Sequence, residues 1–311
     1  MSKRFFLTVP ILCVATLTGC GGSTNASEDY GLATTPVVNS KNNTVIYGLY
    51  PQKRVGDSKL ISSLEALTAP ESNGWYLYNE NYYAKESAKL YNSAYKFDDG
   101  TAIVEGTTYW FKCEPIVWNI LSNDNGEYFL RSSVLLDAHR FNEAWVGLKS
   151  DKCANNYEYS EVRSWLNNEF YNSAFALGNE CIQTTTVDNS ASTTKREDTV
   201  GGYTCENTND KVFLLSYQDY INSSYGFSTG TSSSNTRTCK TTDYARARGA
   251  YCFVQFDYSY KYCSHYWTRS PYSDGGAHVW FVGSEGNINR SGNGVDSTDY
   301  CVNPAIKIKI N

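Results

Sequence analysis

The chain has 311 residues and a formal net charge of −5, and only 19% of its residues are charged while 15% are aromatic. This acidic balance, without any basic cluster, excludes nucleic acid as an expected partner. The length allows one large domain or two smaller ones.

The first twenty residues have the pattern of an export signal. Two basic residues, Lys3 and Arg4, precede the apolar run FFLTVPILCVATLTG, which is too short to span a bilayer comfortably. The run ends in LTGC, which resembles the lipobox of bacterial lipoproteins, whose cysteine carries the acyl chains after cleavage. The resemblance implies a signal peptide at residues 1–19 and lipidation of Cys20. An ordinary secretory leader with a chance cysteine is the alternative.

This signal predicts where the mature protein lies. A lipidated Cys20 would anchor the chain to the membrane of the bacterial cell envelope, with its domain outside the cytoplasm. No later stretch approaches 18 apolar residues. Residues 20–45 are small and polar and predict a flexible tether, and residues 46–311 predict a single domain.

The first half of that domain has mainly strand patterns. TVIYGLYPQKRV, GWYLYNENYYAK and GTTYWFKCEPIVWNIL are rich in β-branched and aromatic residues and predict strands. Between the first two, SKLISSLEAL predicts a helix capped by Ser58. The pair Asn125-Gly126 predicts the turn of a hairpin.

In the second half, helical and strand patterns alternate. YSEVRSWLNNEFYNSAF predicts a helix capped by Ser160, and TTDYARARGA predicts a short helix capped by Thr242 and ended by Gly249. DKVFLLS and the closing PAIKIKI predict strands, the latter with its isoleucines on one face. Together the elements predict an α+β domain with few helices, many short antiparallel strands and long loops.

Eight cysteines follow Cys20, and an even number in an exported protein predicts up to four disulfides. Cys181 and Cys205 bracket a low-complexity loop that has nothing else to hold it. A bridge between them would stabilise the fold by about 3 kcal/mol, so this pairing is predicted. No C-x-x-C pair occurs, which disfavours a zinc or thioredoxin-type site.

Several motifs resemble a family of bacterial surface lipoproteins of unknown function. The motifs are GLYPQ at residues 48–52, EPIVWNIL at 114–121, SEVRSWLNNEFY at 160–171, DKVFLLS at 210–216, TDYARARGA at 242–250, YWTRSP at 266–271 and CVNPA at 301–305. The closing segment, W-x-R-S-P followed by V-x-P-A, is similar to the C-type-lectin-like fold shared with formylglycine-generating enzymes.

This resemblance implies roles for residues of the closing segment. Trp267, Arg269 and Pro271 would belong to the scaffold, with the arginine bonded to backbone or carboxylate groups beneath the binding loops. Cys301 stands where the family usually has glycine, which implies a disulfide with Cys263. Asn303 stands in place of the usual arginine, so an arginine's ion pair is absent there.

The loops between Tyr272 and Tyr300 predict a ligand-binding surface because aromatic and amide side chains lie on glycine-rich turns there. In the alternating strand HVWFV, the wholly apolar face of Val279 and Phe281 is assigned to the core, which turns Trp280 outward. The candidate ligand-binding residues are Tyr272, Asp274, His278, Trp280, Asn287, Asn289, Arg290, Asn293 and Tyr300. Plain hairpin turns without a ligand are the alternative.

Catalytic chemistry has little support in the sequence. The three histidines are scattered, no two carboxylates can be paired, and the cysteine surroundings of formylglycine-generating enzymes and the calcium motifs of sugar-binding lectins are missing. The sequence therefore predicts a non-catalytic, membrane-anchored recognition domain that binds a surface glycan or protein, without metal or cofactor. A cell-envelope enzyme acting on glycan or peptide and a structural envelope lipoprotein remain alternatives.

Overall fold

The computed structural model describes residues 31–143, 153–194, 205–254, 259–272, 276–289 and 292–310. The predicted signal peptide, Cys20 and the first part of the predicted tether lie outside these residues. Within the described ranges, no helix is both long and apolar enough to cross a membrane.

The fold is α+β, with strands mostly in antiparallel sheets and few helices. The described strands are β1 (Val37–Asn39), β2 (Thr44–Arg54), β3 (Tyr76–Tyr78), β4 (Asn81–Ser87), β5 (Thr108–Asp124), β6 (Glu127–Ser132), β7 (Asp137–Ala138), β8 (Thr185–Val187), β9 (Thr208–Asp210), β10 (Val212–Leu214), β11 (Tyr266–Pro271), β12 (His278–Val282), β13 (Asn293–Gly294), β14 (Cys301–Val302) and β15 (Pro304–Lys309).

The larger sheet has the strand order β1-β2-β5-β6-β15-β10, and β4, which also pairs with β3, joins it along β5. β5 is long enough to pair with β4 near its start, with β2 in its middle and with β6 near its end. The β5–β6 turn is the predicted one, with φ of +50° at Asn125 and +86° at Gly126. Two successive positive φ values are what the tightest hairpin turn needs.

The second sheet has the order β13-β12-β11-β14-β7, and its only parallel pair among the described strands is β11 with β14. β8 and β9 form a separate two-stranded ribbon. The chain crosses from the second sheet back to the larger one between β14 and β15, so the closing residues belong to both sheets.

The helices are short. They are α1 (Ser58–Glu65), α2 (Glu161–Trp165), α3 (Tyr171–Ala174), α4 (Ala191–Thr194), α5 (Tyr217–Tyr220) and α6 (Asp243–Ala247). A π-helical turn, Leu166–Phe170, joins α2 to α3. Ser160 and Thr242 cap α2 and α6 as predicted. For α1 the predicted cap was wrong by one residue, because the Asp57 carboxylate accepts the backbone N–H groups of Lys59 and Leu60.

The folded body begins before residue 46. Ala33 is buried, its carbonyl accepts the backbone N–H of Gly48, and β1 pairs with the start of β2. Residues 33–45 therefore belong to the folded body, with β1 as an edge strand of the larger sheet, rather than to a flexible tether.

One continuous hydrophobic core joins both sheets and the helices between them. At the end of the chain, Ile306 and Ile308 are fully buried while the alternating lysines reach toward solvent, as the sequence predicted. A smaller cluster around Val55, Leu64 and Trp110 lies under α1.

Candidate functional site

The W-x-R-S-P segment forms β11, which lies entirely in the interior. The Trp267 ring stacks on Tyr300 at a centroid distance of 4.3 Å, and its Nε1 donates to the carbonyl of His139 at 2.8 Å. Arg269 donates to the carboxylate of Asp219 at 2.8 Å and to the carbonyls of Leu214 and Asp188. Both side chains are scaffold.

The predicted outward orientation of Trp280 is wrong. Trp280 is 1% exposed, and its ring contacts Tyr217 of α5 and Tyr272. Phe281, on the other face of β12, is also buried, as predicted, and packs against Tyr300. The face assignment failed because both faces of this sheet are covered, so that neither side of the strand must be polar.

The other predicted ligand residues do not converge on one surface. Tyr272 and His278 flank Trp280, and the side-chain amide of Asn155 holds the carbonyls of both. Tyr300 is buried on the opposite face of β12. The remaining described asparagines serve the hairpins: Asn287 and Asn289 form backbone bonds with Gly283 and Phe281, and Asn293 donates to Ser297. Asp274 and Arg290 lie outside the described residues.

The predicted disulfides are wrong as well. No two of the eight cysteines in the described residues lie at disulfide distance. The carbonyl of Cys181 accepts the N–H of Lys309 beside the larger sheet, whereas Cys205 lies against Tyr157 and Glu158. The thiol of Cys301 donates to the Ser264 hydroxyl at 3.4 Å instead of bonding to Cys263. Two cysteines that flank the same loop in the sequence need not lie close enough in the fold for their thiols to bond.

A cavity of about 530 Å³ lies instead where β7, α2, α6 and two loops meet. We call it the polar cavity because charged and hydroxyl side chains dominate its wall. It is lined by Lys89, Leu90, Tyr91, Glu105, Ala138, His139, Arg140, Glu161, Arg248, Gly249, Thr298 and Asp299. Its volume is within the range of about 300–1,000 Å³ typical of ligand sites.

Arg248 lines the polar cavity and is held in place by two carboxylates. Its Nε donates to Asp137 at 3.0 Å and its Nη1 donates to Glu86 at 3.1 Å. Asp137 is held in turn by the hydroxyl of Tyr50 at 2.7 Å. The Asp137 carboxylate raises the pKa of Arg248. Nη2 makes no hydrogen bond within the described part of the chain, so it is available to a ligand.

His139 lies between an aromatic ring and a carboxylate. Its ring packs on Trp165 at 4.9 Å, and its Nε2 lies 3.8 Å from Oε1 of Glu161. Nδ1 is 2.7 Å from the carbonyl oxygen of Arg140. Because a carbonyl only accepts, Nδ1 carries the hydrogen and Nε2 of the neutral ring is an acceptor. Arg140 also holds Glu161 through its Nε at 2.8 Å.

Three charged groups on the wall, Lys89, Glu105 and Asp299, have no ion-pair partner in the described ranges. Asp299 is partly buried, and burial raises the pKa of its carboxyl group. Lys89 and Glu105 are exposed. Unpaired charged groups beside rigidly paired ones leave hydrogen-bonding capacity that an incoming polar ligand can use.

A second cavity of about 240 Å³ adjoins the first and has a different wall. We call it the aromatic cavity because four rings contribute to it, those of Tyr50, Trp75, Trp165 and Tyr244. Its other lining residues are Pro51, Asn73, Gly74, Ala84, Lys85, Glu86, Asp137, Glu169, Ser173 and Arg248.

One motif of hydrolases occurs in the sequence, GFSTG at residues 226–230. Such a serine acts as a nucleophile when it lies on a sharp turn between a strand and a helix. Here Ser228 follows a 3₁₀ turn, Ser223–Tyr225, in an exposed loop, and its hydroxyl is bonded to Ser234 at 2.7 Å. The motif is therefore not a nucleophile elbow. Among the described residues, no group of three or more His, Cys, Asp or Glu side chains could hold a metal ion.

Sequence reasoning missed these cavities, although their residues carried signals. His139 is one of the three scattered histidines, and Trp165 and Arg248 belong to the SEVRSWLNNEFY and TDYARARGA motifs. No local pattern indicates that these residues meet Glu86 and Asp299.

The fold defines an α+β protein with two adjoining cavities, one lined by paired charges and the other by aromatic rings. Comparison with known families matches residues 125–310 to a domain of unknown function, DUF6273. The match covers more than half of the chain, and the chain belongs to this family. No curated protein and no solved structure matches it. The matched range begins in the β5–β6 turn, so β1 to β5, which complete the larger sheet, precede it.

Proposed function

We propose that the protein is a lipid-anchored envelope protein whose domain binds a glycan in the polar cavity without transforming it. The LTGC pattern at Cys20 supports the anchor, and the order of motifs supports a C-type-lectin-like recognition domain. The ligand site is the cavity around Arg248 rather than the loops after Tyr272, because the described side chains of those loops are largely buried or bonded within their hairpins.

The observation that carries the proposal is the clamping of Arg248 between Asp137 and Glu86 on the wall of the polar cavity. A guanidinium held in place loses little conformational entropy when it binds a ligand. Its free Nη2 donor and the acceptors of His139 and Asp299 suit a ligand that both donates and accepts hydrogen bonds at neighbouring positions. Vicinal hydroxyl groups of sugars have this property.

The mixture of charges favours a neutral, hydroxyl-rich ligand over a strongly charged one. Arg140 and Arg248 are already neutralised by carboxylates, and the remaining Lys89, Glu105 and Asp299 include both signs of charge. A highly anionic or cationic ligand would meet repulsion from one of them. A peptide with few charges is the closest competitor.

The test is a screen of the purified protein against an array of glycans and peptides, repeated with a variant that closes the cavity. Thr298→Trp places a ring at an exposed lining position, and Asp296→Trp is the matched control at an exposed position outside the lining. We expect glycan binding that Thr298→Trp reduces by at least about tenfold, equivalent to about 1.4 kcal/mol, and that Asp296→Trp leaves unchanged. Binding to peptides alone, or equal binding by both variants, would refute the proposal.

A second candidate, a cell-envelope enzyme acting on glycan, is favoured by one observation. Asp299, whose carboxyl pKa is raised by burial, lines the same cavity as the His139–Glu161 pair, and a carboxyl group with a perturbed pKa is common in catalytic sites. Incubating each bound glycan with the protein and measuring new reducing ends distinguishes the two. Release of product would establish the enzyme, and intact ligand would support recognition. A protein that binds nothing on the array would fit a structural envelope lipoprotein.

A further inference from the structure

We infer that the polar and aromatic cavities are two halves of one groove, which takes a linear oligosaccharide of at least two sugar units. This inference rests on the proposed function and adds the length and orientation of the ligand. Arg248 lines both cavities, so the two spaces adjoin at this residue.

Three further chain segments run past both cavities. Along the first, Asp137 lines the aromatic cavity while Ala138, His139 and Arg140 line the polar one. Along α2, Trp165 lines the aromatic cavity, and Glu161, one helical turn earlier, lines the polar one. Along the segment after β4, residues 84–86 line the aromatic cavity and residues 89–91 the polar one. A wall formed by the same continuous segments indicates one groove.

The size of the aromatic cavity supports its role as an extension. At about 240 Å³ it is smaller than the range of about 300–1,000 Å³ found for complete ligand sites. It is therefore better suited to one unit of a ligand whose neighbouring unit occupies the polar cavity.

The chemistry of the two halves matches the two surfaces of a sugar chain. Hydroxyl groups at the edge of a sugar ring bind charged and amide side chains, whereas its C–H face packs on aromatic rings. The aromatic cavity offers Trp75 and Trp165, and Glu86 and Arg248 stand beside them for hydroxyl groups. The polar cavity offers mainly hydrogen-bonding groups. A single charged metabolite would use only one of these halves.

The groove also gives Trp165 a double role. Its ring supports His139 at 4.9 Å and contributes to the aromatic cavity. A sugar unit packed against Trp165 would therefore hold the ring that positions His139, so that occupation of one half favours binding in the other.

The experiment measures affinity against chain length. Linear fragments of one to six units, prepared from chitin, cellulose, xylan and β-1,3-glucan, are titrated into the full chain by calorimetry. We expect affinity for the bound series to rise by at least about tenfold between one unit and three, because the second unit binds intramolecularly.

Two variants locate the effect. Ser173→Trp fills the aromatic cavity from α3, and Asn172→Trp is the matched control at the exposed neighbouring position, which does not line it. We expect Ser173→Trp to abolish the gain in affinity with chain length and to leave the affinity for a single unit within about twofold of wild type. Asn172→Trp should change neither quantity. Circular dichroism and melting temperature check that both variants fold.

A single unit that binds as tightly as three, or a gain with length that survives in a folded Ser173→Trp variant, would overturn the groove and leave the glycan-binding function standing. Absence of binding to every fragment, including single units, would overturn the glycan-binding function itself. If Ser173→Trp does not fold, Glu169→Trp, at an exposed lining position, replaces it with the same expectation.

Discussion

Replacing Trp267 tests whether the core of the second sheet supports the polar cavity. The ring is fully buried, stacks on Tyr300 and meets the edge of Phe141 at 5.9 Å. Truncation to alanine removes these contacts and leaves a cavity, so Trp267→Ala should lower the free energy of unfolding by about 3–5 kcal/mol. The exposed Tyr159 is the control, and Tyr159→Ala should change stability by no more than about 0.5 kcal/mol.

Trp267→Phe separates packing from the hydrogen bond to His139. Most of the ring remains, but the His139 carbonyl loses its bond to Nε1 at 2.8 Å. An unsatisfied buried carbonyl costs about 1–3 kcal/mol, so this variant should lie between wild type and Trp267→Ala.

Urea denaturation followed by circular dichroism measures both changes through the midpoint and slope of unfolding. Because His139 lines the polar cavity, Trp267→Phe should also weaken ligand binding under conditions where the variant is folded. A loss of stability below about 1 kcal/mol for Trp267→Ala would refute the assignment of this ring to the core.

Four other predictions follow from the sequence and the structure. Cys20→Ser should release the protein from the membrane fraction or leave the leader uncut, and a variant still cleaved and still partitioning into detergent would contradict lipidation. Peptide mapping without reduction should recover Cys181 and Cys205 unlinked, and finding them joined would contradict the structure. Trp280→Ala should lower stability by about 3–5 kcal/mol because the ring is buried, and an unchanged melting temperature would restore its outward orientation. Burial lowers the pKa of His265 to about 4, so the unfolded chain binds more protons between about pH 4 and 6.5, and stability should fall by up to about 3 kcal/mol as the pH drops through that window. His265→Phe should flatten this dependence of stability on pH, and an unchanged pH profile in the variant would contradict the assignment of the dependence to His265.

Features that depend on neighbouring residues were determined by the sequence alone. The caps at Ser160 and Thr242 and the turn at Asn125 formed as predicted because each needs only a few adjacent side chains and backbone angles. The final strand could also be predicted, because the alternation of isoleucine and lysine leaves only one face to bury. The α+β class followed from the sum of such elements.

What the tertiary structure alone decided is which surfaces and side chains meet. Alternation in HVWFV could not reveal that Tyr217 of α5 covers the second face of β12, so Trp280 was placed outside. Counting cysteines could not show that the thiols are held apart. The groove depends most on contacts between residues that are far apart in the sequence, because Arg248 bonds Asp137 across 111 positions and Glu86 across 162. Such contacts arise from the packing of whole sheets and helices against one another, which leaves no periodic trace in the sequence near any of these residues.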